Sequence, residues 1–489
     1  MKKNILYKVF NIFFALCFSP VLFSMFFNRN VRTSNFSFFL FFGYTCFIIT
    51  TFFLLYKLLK KKNNFIYKKR YLIIPLYFLL LFILQVNVGY YLRVIPSWDF
   101  GMVFKEAKSY VNSGMLGEAN YFINCPNNIP LLIINIIVYK IASFIGISEF
   151  YLVGTLVNII VIDLSIFITY LTVKRVFDFN KAIMSLVIFF FFTPIFLYVP
   201  IFYTDTMSIL FPILIVYLYI IFKDLLLDKK RVILLILISL ITFIGMKIKV
   251  TVSIVLIAIL IDVMINFKFR DFFKMSFVLI TPLLILLFSY PFFVNKTGIL
   301  PFKIQDAGEI PYTHWVMMGM SKEGEGGYLW EDLKYTLSFE TKEERKNANI
   351  LEIKKRLNNF GVDGYAKFLL NKASMTWGDG TYFAPQKLNR QPVRTTVLHQ
   401  IVLPDSKYYK YYYNFCFSFQ FLFLIAMIFK NIINFQETKI DKINFVNLAI
   451  FGLFLFLLLW ETRSRYIVNF IPLFVLIISS TNINFKKAE

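Results

Sequence analysis

Three polar clusters interrupt a chain that is otherwise a succession of apolar runs. Asp99 closes the stretch Arg93-Val-Ile-Pro-Ser-Trp-Asp99, Asp205 follows Tyr203-Thr204, and Glu461-Thr-Arg-Ser-Arg-Tyr466 precedes the last run. Two carboxylates on different helices can take a proton from a hydroxyl and orient it, or hold a divalent cation. Trp98 and Phe100 favour the membrane interface, where a carboxylate between them is partly desolvated and able to act as a base. Arg463 and Arg465 carry the planar donors that grip a phosphate, and Lys247 and Lys249 offer point charges for the same task.

Each of these residues also has a plainer role open to it. Asp99 can be a helix cap or a solvated loop residue, and Asp205 an N-cap that satisfies free amides. Lysines at a helix end can snorkel to the headgroups, since at mid-bilayer each costs ~2.5–3.5 kcal/mol. Glu461 can pair with one of the two arginines. His314 and Trp315 can stack on a sugar or simply pack; no metal spacing links His314 to the other histidine, His399. Glu106 reads as a solvated helix residue. Asp163, inside an apolar run with no visible partner, reads as an internal hydrogen-bonding group.

The elements that must position these groups are membrane helices. Of the 489 residues, 58% are hydrophobic, and the mean hydropathy is +0.67. That composition excludes an ordinary soluble protein, and runs of about 20 apolar residues match ~30 Å of hydrocarbon. The expectation is an all-α polytopic membrane protein in the cell membrane. The net charge of +24 does not point to nucleic acid, because the basic residues sit in short loops between apolar runs rather than on one face. The four cysteines are scattered, with neither a disulfide framework nor metal spacing. The first run follows Lys2 and Lys3 but lacks a small-residue cleavage site, so it reads as a retained helix.

Thirteen apolar runs can be traced, among them 129–147, 150–173, 182–202, 206–223, 232–247, 250–266 and 466–480. Residues 1–294 form an N-terminal membrane module with a first outer loop at 93–128. Residues 295–410 form an extracytoplasmic domain, and 411–489 the last helices. Basic loops at 57–70, Lys174-Arg175, 223–231, 268–274 and 430–442, with the tail Lys486-Lys487, belong on the cytoplasmic side. They all fall there if 129–147 is re-entrant or interfacial, which leaves about twelve crossings and both termini cytoplasmic. In the outer domain Thr341-Lys-Glu-Glu344 has capping-box spacing. The helix it starts carries Ile350, Ile353 and Leu357 on one face and stops near Gly361. A second helix over 365–375 leads into the turn Trp377-Gly-Asp-Gly380, so this domain is expected to be mainly helical.

In layout the chain resembles the GT-C superfamily of membrane glycosyltransferases, especially its bacterial protein O-mannosyltransferase-like and aminoarabinose-transferase-like members. The likeness rests on Ser97-Trp-Asp99, Pro130-Leu-Leu, Tyr203-Thr-Asp205 and the terminal Glu461, Arg465, Tyr466 and Pro472. Thr313-His-Trp-Val-Met-Met-Gly-Met320 with Gly326-Gly-Tyr328 looks like a Gram-positive subgroup. The resemblance implies transfer of a sugar from a polyprenyl-phosphate donor to an extracytoplasmic acceptor. Asp99 would be the base or the acceptor-orienting carboxylate and Asp205 its helper, with Lys247, Lys249, Arg463 and Arg465 offsetting charge on the leaving phosphate and Glu461 and Tyr466 beside them. Many relatives carry an adjacent acidic pair where this chain has one aspartate, so a divalent cation is not required. A wall-polysaccharide polymerase or ligase and a lipid-linked-sugar flippase or transporter are the other readings.

Overall fold

The computed structural model describes residues 2–28, 31–225, 228–306, 308, 310–436 and 442–480. Loop residues 437–441 and the tail with Lys486 and Lys487 lie outside the described residues. Among the described residues every regular element is a helix, and all thirteen expected apolar runs contain one. Among the described residues nine helices are long and apolar enough to cross a membrane, and four shorter apolar helices accompany them: Phe179–Phe191, Val250–Asn266, Asn444–Leu459 and Ser464–Ser479.

The run at 182–202, expected as one crossing, is broken. Its helix stops at Phe191, a single turn follows at Pro194–Leu197, and the chain reaches Tyr203 without regular structure. Proline has no amide hydrogen and disfavours helix before it, so Pro194 and Pro200 account for the break. Unwound backbone survives at this depth only if its carbonyls find partners. Asn158, in the helix Phe150–Val176, donates to the carbonyls of Tyr198 and Val199 at 3.0 Å each, and the Tyr151 hydroxyl donates to Pro200 O at 2.8 Å.

Helix Ile129–Phe144 enters and leaves at one end of the bundle. Asn128 before it bonds to Tyr121 and Tyr203, and Glu149 after it pairs with Arg93 at 3.0 Å. In between it lies along the helix Trp98–Ser113, with Tyr139 edge-on to Phe104 and Lys140 over Tyr110. By length and composition it is one of the helices apolar enough to span a membrane.

The opposite end gathers the basic loops. Arg175 and Lys442 share Asp224 at 2.9 and 2.8 Å, Tyr67 packs on Phe179, and Lys181 reaches Ser480 O. Buried Asp262 there takes Lys223 at 2.7 Å together with Tyr7, Tyr219 and Asn266, which ties the first helix to the middle of the chain. In the membrane interior Asp163 has a partner after all: Gln85 donates to it at 3.0 Å.

Residues 297–408 cap the end that carries the three polar clusters. The capping box forms as expected, with Thr341 accepting from Glu344 N and Glu344 accepting from Thr341 N. The helix Lys342–Gly378 breaks at Gly361, whose φ of 59° and ψ of −179° suit only glycine. Beyond the break the chain sinks into the bundle, so the cap is continuous with the apolar core. Trp377 packs against Phe18, Phe454 and Phe474.

Candidate active site

Two main-chain bonds fix where cap and membrane loop meet. Ile95 N donates to Gln391 O at 2.8 Å and Val393 N to Arg93 O at 3.0 Å, an isolated antiparallel bridge between Val94 and Pro392. This lays the segment after the short helix Ala384–Leu388 across the residues that precede Asp99. Lys387 then sits 4.3 Å and Arg390 4.5 Å from the centre of the Trp98 ring.

Trp98 has a left-handed backbone, φ 49°, which costs ~1–3 kcal/mol for a bulky residue and persists only when its surroundings hold it. It starts the helix whose first turn carries Asp99. Asp99 is half-buried; one of its oxygens accepts from the Tyr121 hydroxyl at 2.7 Å, and Tyr121 in turn accepts from the Asn128 amide at 2.6 Å. Tyr203 donates to Asn128 at 2.8 Å and lies 3.5 Å from the second Asp99 oxygen. Burial and the nearby Asp99 charge push the Tyr121 phenol well above its usual range, so it stays a donor. Asp99 forms no ion pair among the described residues and keeps one oxygen with only that long contact.

Asp205 stands differently. It is the second residue of the single helical turn Thr204–Met207 and is buried, and its two oxygens are taken by Lys249 at 2.6 Å and Arg465 at 3.1 Å. Lys249 is at the break between Asp228–Ile248 and the helix Ser253–Asn266, and Arg465 in the turn Ser464–Phe470. Both cations reach Asp205 from helix ends far apart in sequence. Tyr466 completes this side: its hydroxyl donates to Glu461 at 2.8 Å and accepts from Arg465 at 3.4 Å. Glu461 therefore pairs with a tyrosine rather than with an arginine.

The other expected site residues lie apart. Lys247 rests 3.8 Å from the centre of the Tyr290 ring, away from Asp205. Arg463 is wrapped by the glycine-rich loop 321–328. It donates to Gly324 O at 3.0 Å, and a Cβ at Gly327 would lie 2.3 Å from its guanidinium carbon. His314 is turned into the cap, bonded to Thr336 at 2.7 Å, and burial pushes its imidazole down to about 4. Trp315 stacks on Trp460 with centroids 5.6 Å apart, and its carbonyl accepts from Glu461 N at 3.0 Å.

Four groups were not visible as site residues in the sequence. Lys387 is 5% exposed, and its side chain makes no hydrogen bond or ion pair among the described residues. Burial pushes its ammonium down to about 6, with Arg465 and Arg390 adding to the shift and Asp205 and Asp99 opposing it. Arg390 beside it is exposed. Asp379 is the anchor of this segment, accepting from Thr381 N, Phe383 N and the Ser464 hydroxyl at 2.9, 3.1 and 2.5 Å. Lys372 braces the cap from below, donating to Gly319 O and Leu458 O at 2.6 and 2.9 Å.

These contacts leave the site with two halves: a carboxylate free to accept a proton, and cations beyond those that Asp205 neutralises. Among the described residues no three histidine, cysteine or carboxylate side chains cluster as metal ligands. Asp205 has both oxygens engaged by cations, so the pair Asp99 and Asp205 does not fit a divalent cation in this arrangement.

Residues 1–486 match a family described as conserved hypothetical integral membrane protein. The chain belongs to this family. Comparison with curated proteins and with solved structures gives no match. As an integral membrane protein it contacts the lipid bilayer, and its helices Phe38–Lys61 and Phe269–Lys296 bury only 11% of their apolar windows inside the fold.

Proposed function

We propose that this integral membrane protein is a glycosyltransferase of the GT-C type, moving a sugar from a polyprenyl-phosphate donor to an acceptor on the cap side. The observation that carries this reading is a partly exposed carboxylate, Asp99, that follows Trp98, whose ring is flanked by Lys387 and Arg390, two cations with no ion pair among the described residues. In the reaction the acceptor hydroxyl gives its proton to Asp99 as its oxygen bonds to the anomeric carbon. The bond from that carbon to the phosphate oxygen breaks, and its electron pair stays on the phosphate. The added negative charge falls beside Lys387, Arg390 and Arg465, the preorganised stabilisation that such a step needs. Asp205 acts as a positioning residue that holds Lys249 and Arg465 in place.

The basic loops gathered at the far end support a cytoplasmic assignment for that end and an extracytoplasmic one for the cap. With Ile129–Phe144 interfacial, the remaining apolar runs give twelve crossings. A transporter reading draws on the broken helix at 192–203, since such breaks coordinate ions in many carriers. Here the carbonyls of Tyr198, Val199 and Pro200 are already taken by Asn158 and Tyr151, which favours the transferase. The test is transfer from a purified polyprenyl-phosphate sugar in proteoliposomes, with release of free polyprenyl phosphate as the readout. Turnover in the wild type that is absent in Asp99→Asn supports the reading; wild-type protein inert toward polyprenyl-phosphate hexoses, pentoses and amino sugars overturns it.

A further inference from the structure

The loop before Ile129–Phe144 and the cap border an open cavity of about 600 Å³. One wall is Asn127, the residue before the Asn128 that holds Tyr121 and Tyr203. Another is the aromatic pair Tyr312 and Trp315, and the third is the first turn of Lys342–Gly378 with Lys342, Glu343 and Lys346. Gly308 N donates to Ile123 O at 2.7 Å and joins cap to loop next to the cavity.

We propose that this cavity binds the acceptor, and that the acceptor is an anionic saccharide or polyol chain; the assignment of the occupant as acceptor rests on the function proposed above. Volume and lining suit a ligand of a few rings, since binding pockets of ~300–1,000 Å³ combine apolar and aromatic walls with a few polar groups. Tyr312 is 64% exposed and Trp315 half-buried. Trp315 cannot swing freely, because its ring is stacked on Trp460 at an interplanar angle of 6°. A fixed aromatic face fits the apolar C–H face of a sugar ring. The charge of the wall selects the rest of the ligand. Lys346 is paired with Glu343 at 3.1 Å, whereas Lys342 has no carboxylate partner among the described residues and stands at a helix N-terminus, which favours negative charge. A sugar carboxylate and a polyol phosphate both supply that charge. Trp315 also leads back to the chemistry, since its carbonyl holds Glu461 N in the turn that carries Arg465.

The experiment is direct binding to the full-length protein in nanodiscs, by calorimetry, so that no transfer is needed. The probes are a uronic-acid tetrasaccharide, a glycerol-phosphate tetramer and a neutral tetrasaccharide. At least one anionic probe is expected to bind more tightly than the neutral one, and which of the two does so identifies the source of the charge. Lys342→Glu, an exposed substitution, weakens that probe by about tenfold and leaves the neutral one unchanged. Trp315→Leu weakens all three, and Lys342→Glu keeps the test decisive if loss of the Trp460 stack unfolds the cap. Binding is read without turnover, so a failed transferase assay and a failed acceptor site remain distinguishable. Absence of binding by both anionic probes, or binding indifferent to Lys342→Glu, overturns the proposal.

Discussion

Lys387 lies against the face of Trp98, 4.3 Å from the ring centre, with no carboxylate in ion-pair distance among the described residues. A buried ammonium is costly unless it is paired, and the indole face offsets only ~0.5–2 kcal/mol of that cost. The site is therefore poised for an anion. Lys387→Met is expected to weaken binding of a short-chain polyprenyl phosphate by at least about tenfold, while Lys387→Arg keeps most of the affinity. Equal affinity in the methionine variant would leave Lys387 as packing for Trp98 only.

The same lysine gives the binding a pH signature. Its folded-state value, about 6, is below the ordinary 10.5, so between these values the free protein lacks a proton that the unfolded chain carries. Stability from this group accordingly rises with pH across that window and is flat below it. An anionic ligand favours the charged form, so binding takes up a proton and affinity falls as pH rises above about 6. Calorimetry of the phosphate probe in two buffers of different ionisation enthalpy at pH 7.5 should detect that uptake, and Lys387→Met should abolish it.

For Asp99, replacement by asparagine keeps size and leaves a group that can still bond to Tyr121, but removes the base. Turnover should fall by ~10²–10⁴-fold with donor affinity retained. A loss of donor affinity of the same size would instead assign Asp99 to binding.

Asp205→Asn should act on the fold. It leaves Lys249 and Arg465 facing each other without a counter-charge, and removing one partner of a buried ion pair costs ~3–5 kcal/mol. The expected result is a large drop in melting temperature in nanodiscs, partly recovered in the double variant Asp205→Asn with Lys249→Met. A single variant as stable as the wild type would mean that the two cations are not held as described.

Sidedness has its own check. In a cysteine-free background, a cysteine at 174 should react with an impermeant thiol reagent only from the basic-loop side, and one at 343 only from the cap side. Labelling of both from one side would overturn the placement of helix Ile129–Phe144.

Much of this was readable because hydropathy is local. The apolar runs, the Thr341 cap and the Gly361 break each depend on residues within a few positions, and all of them form except the second half of the run at 182–202. Asp99, Asp205 and Arg465 were also placed at a common end from loop charge alone. Lys247 and Lys249 were grouped by closeness in sequence, yet residues two apart on a helix do not face each other, and only Lys249, past the helix end, reaches Asp205. Lys387 and Arg390 carried no local signal; their position depends on the Val94–Pro392 bridge, a pairing across most of the chain. The break at 192–203 did have a signal, Thr193-Pro194 and Pro200, which the run's hydropathy outweighed.

The spacing of the two cations on Asp205 has a consequence for biosynthesis. Lys249 follows Asp205 by 44 residues and Arg465 by 260. The nascent hairpin carrying Asp205 and Lys249 thus meets the bilayer with its charges already cancelled, which lowers the cost of inserting either one. Arg465 arrives 216 residues after Lys249 and adds the surplus positive charge at that moment. A ribosome-bound chain stopped before residue 465 would hold a neutral pair at Asp205, and the second cation on that carboxylate would appear only once the turn Ser464–Phe470 is made.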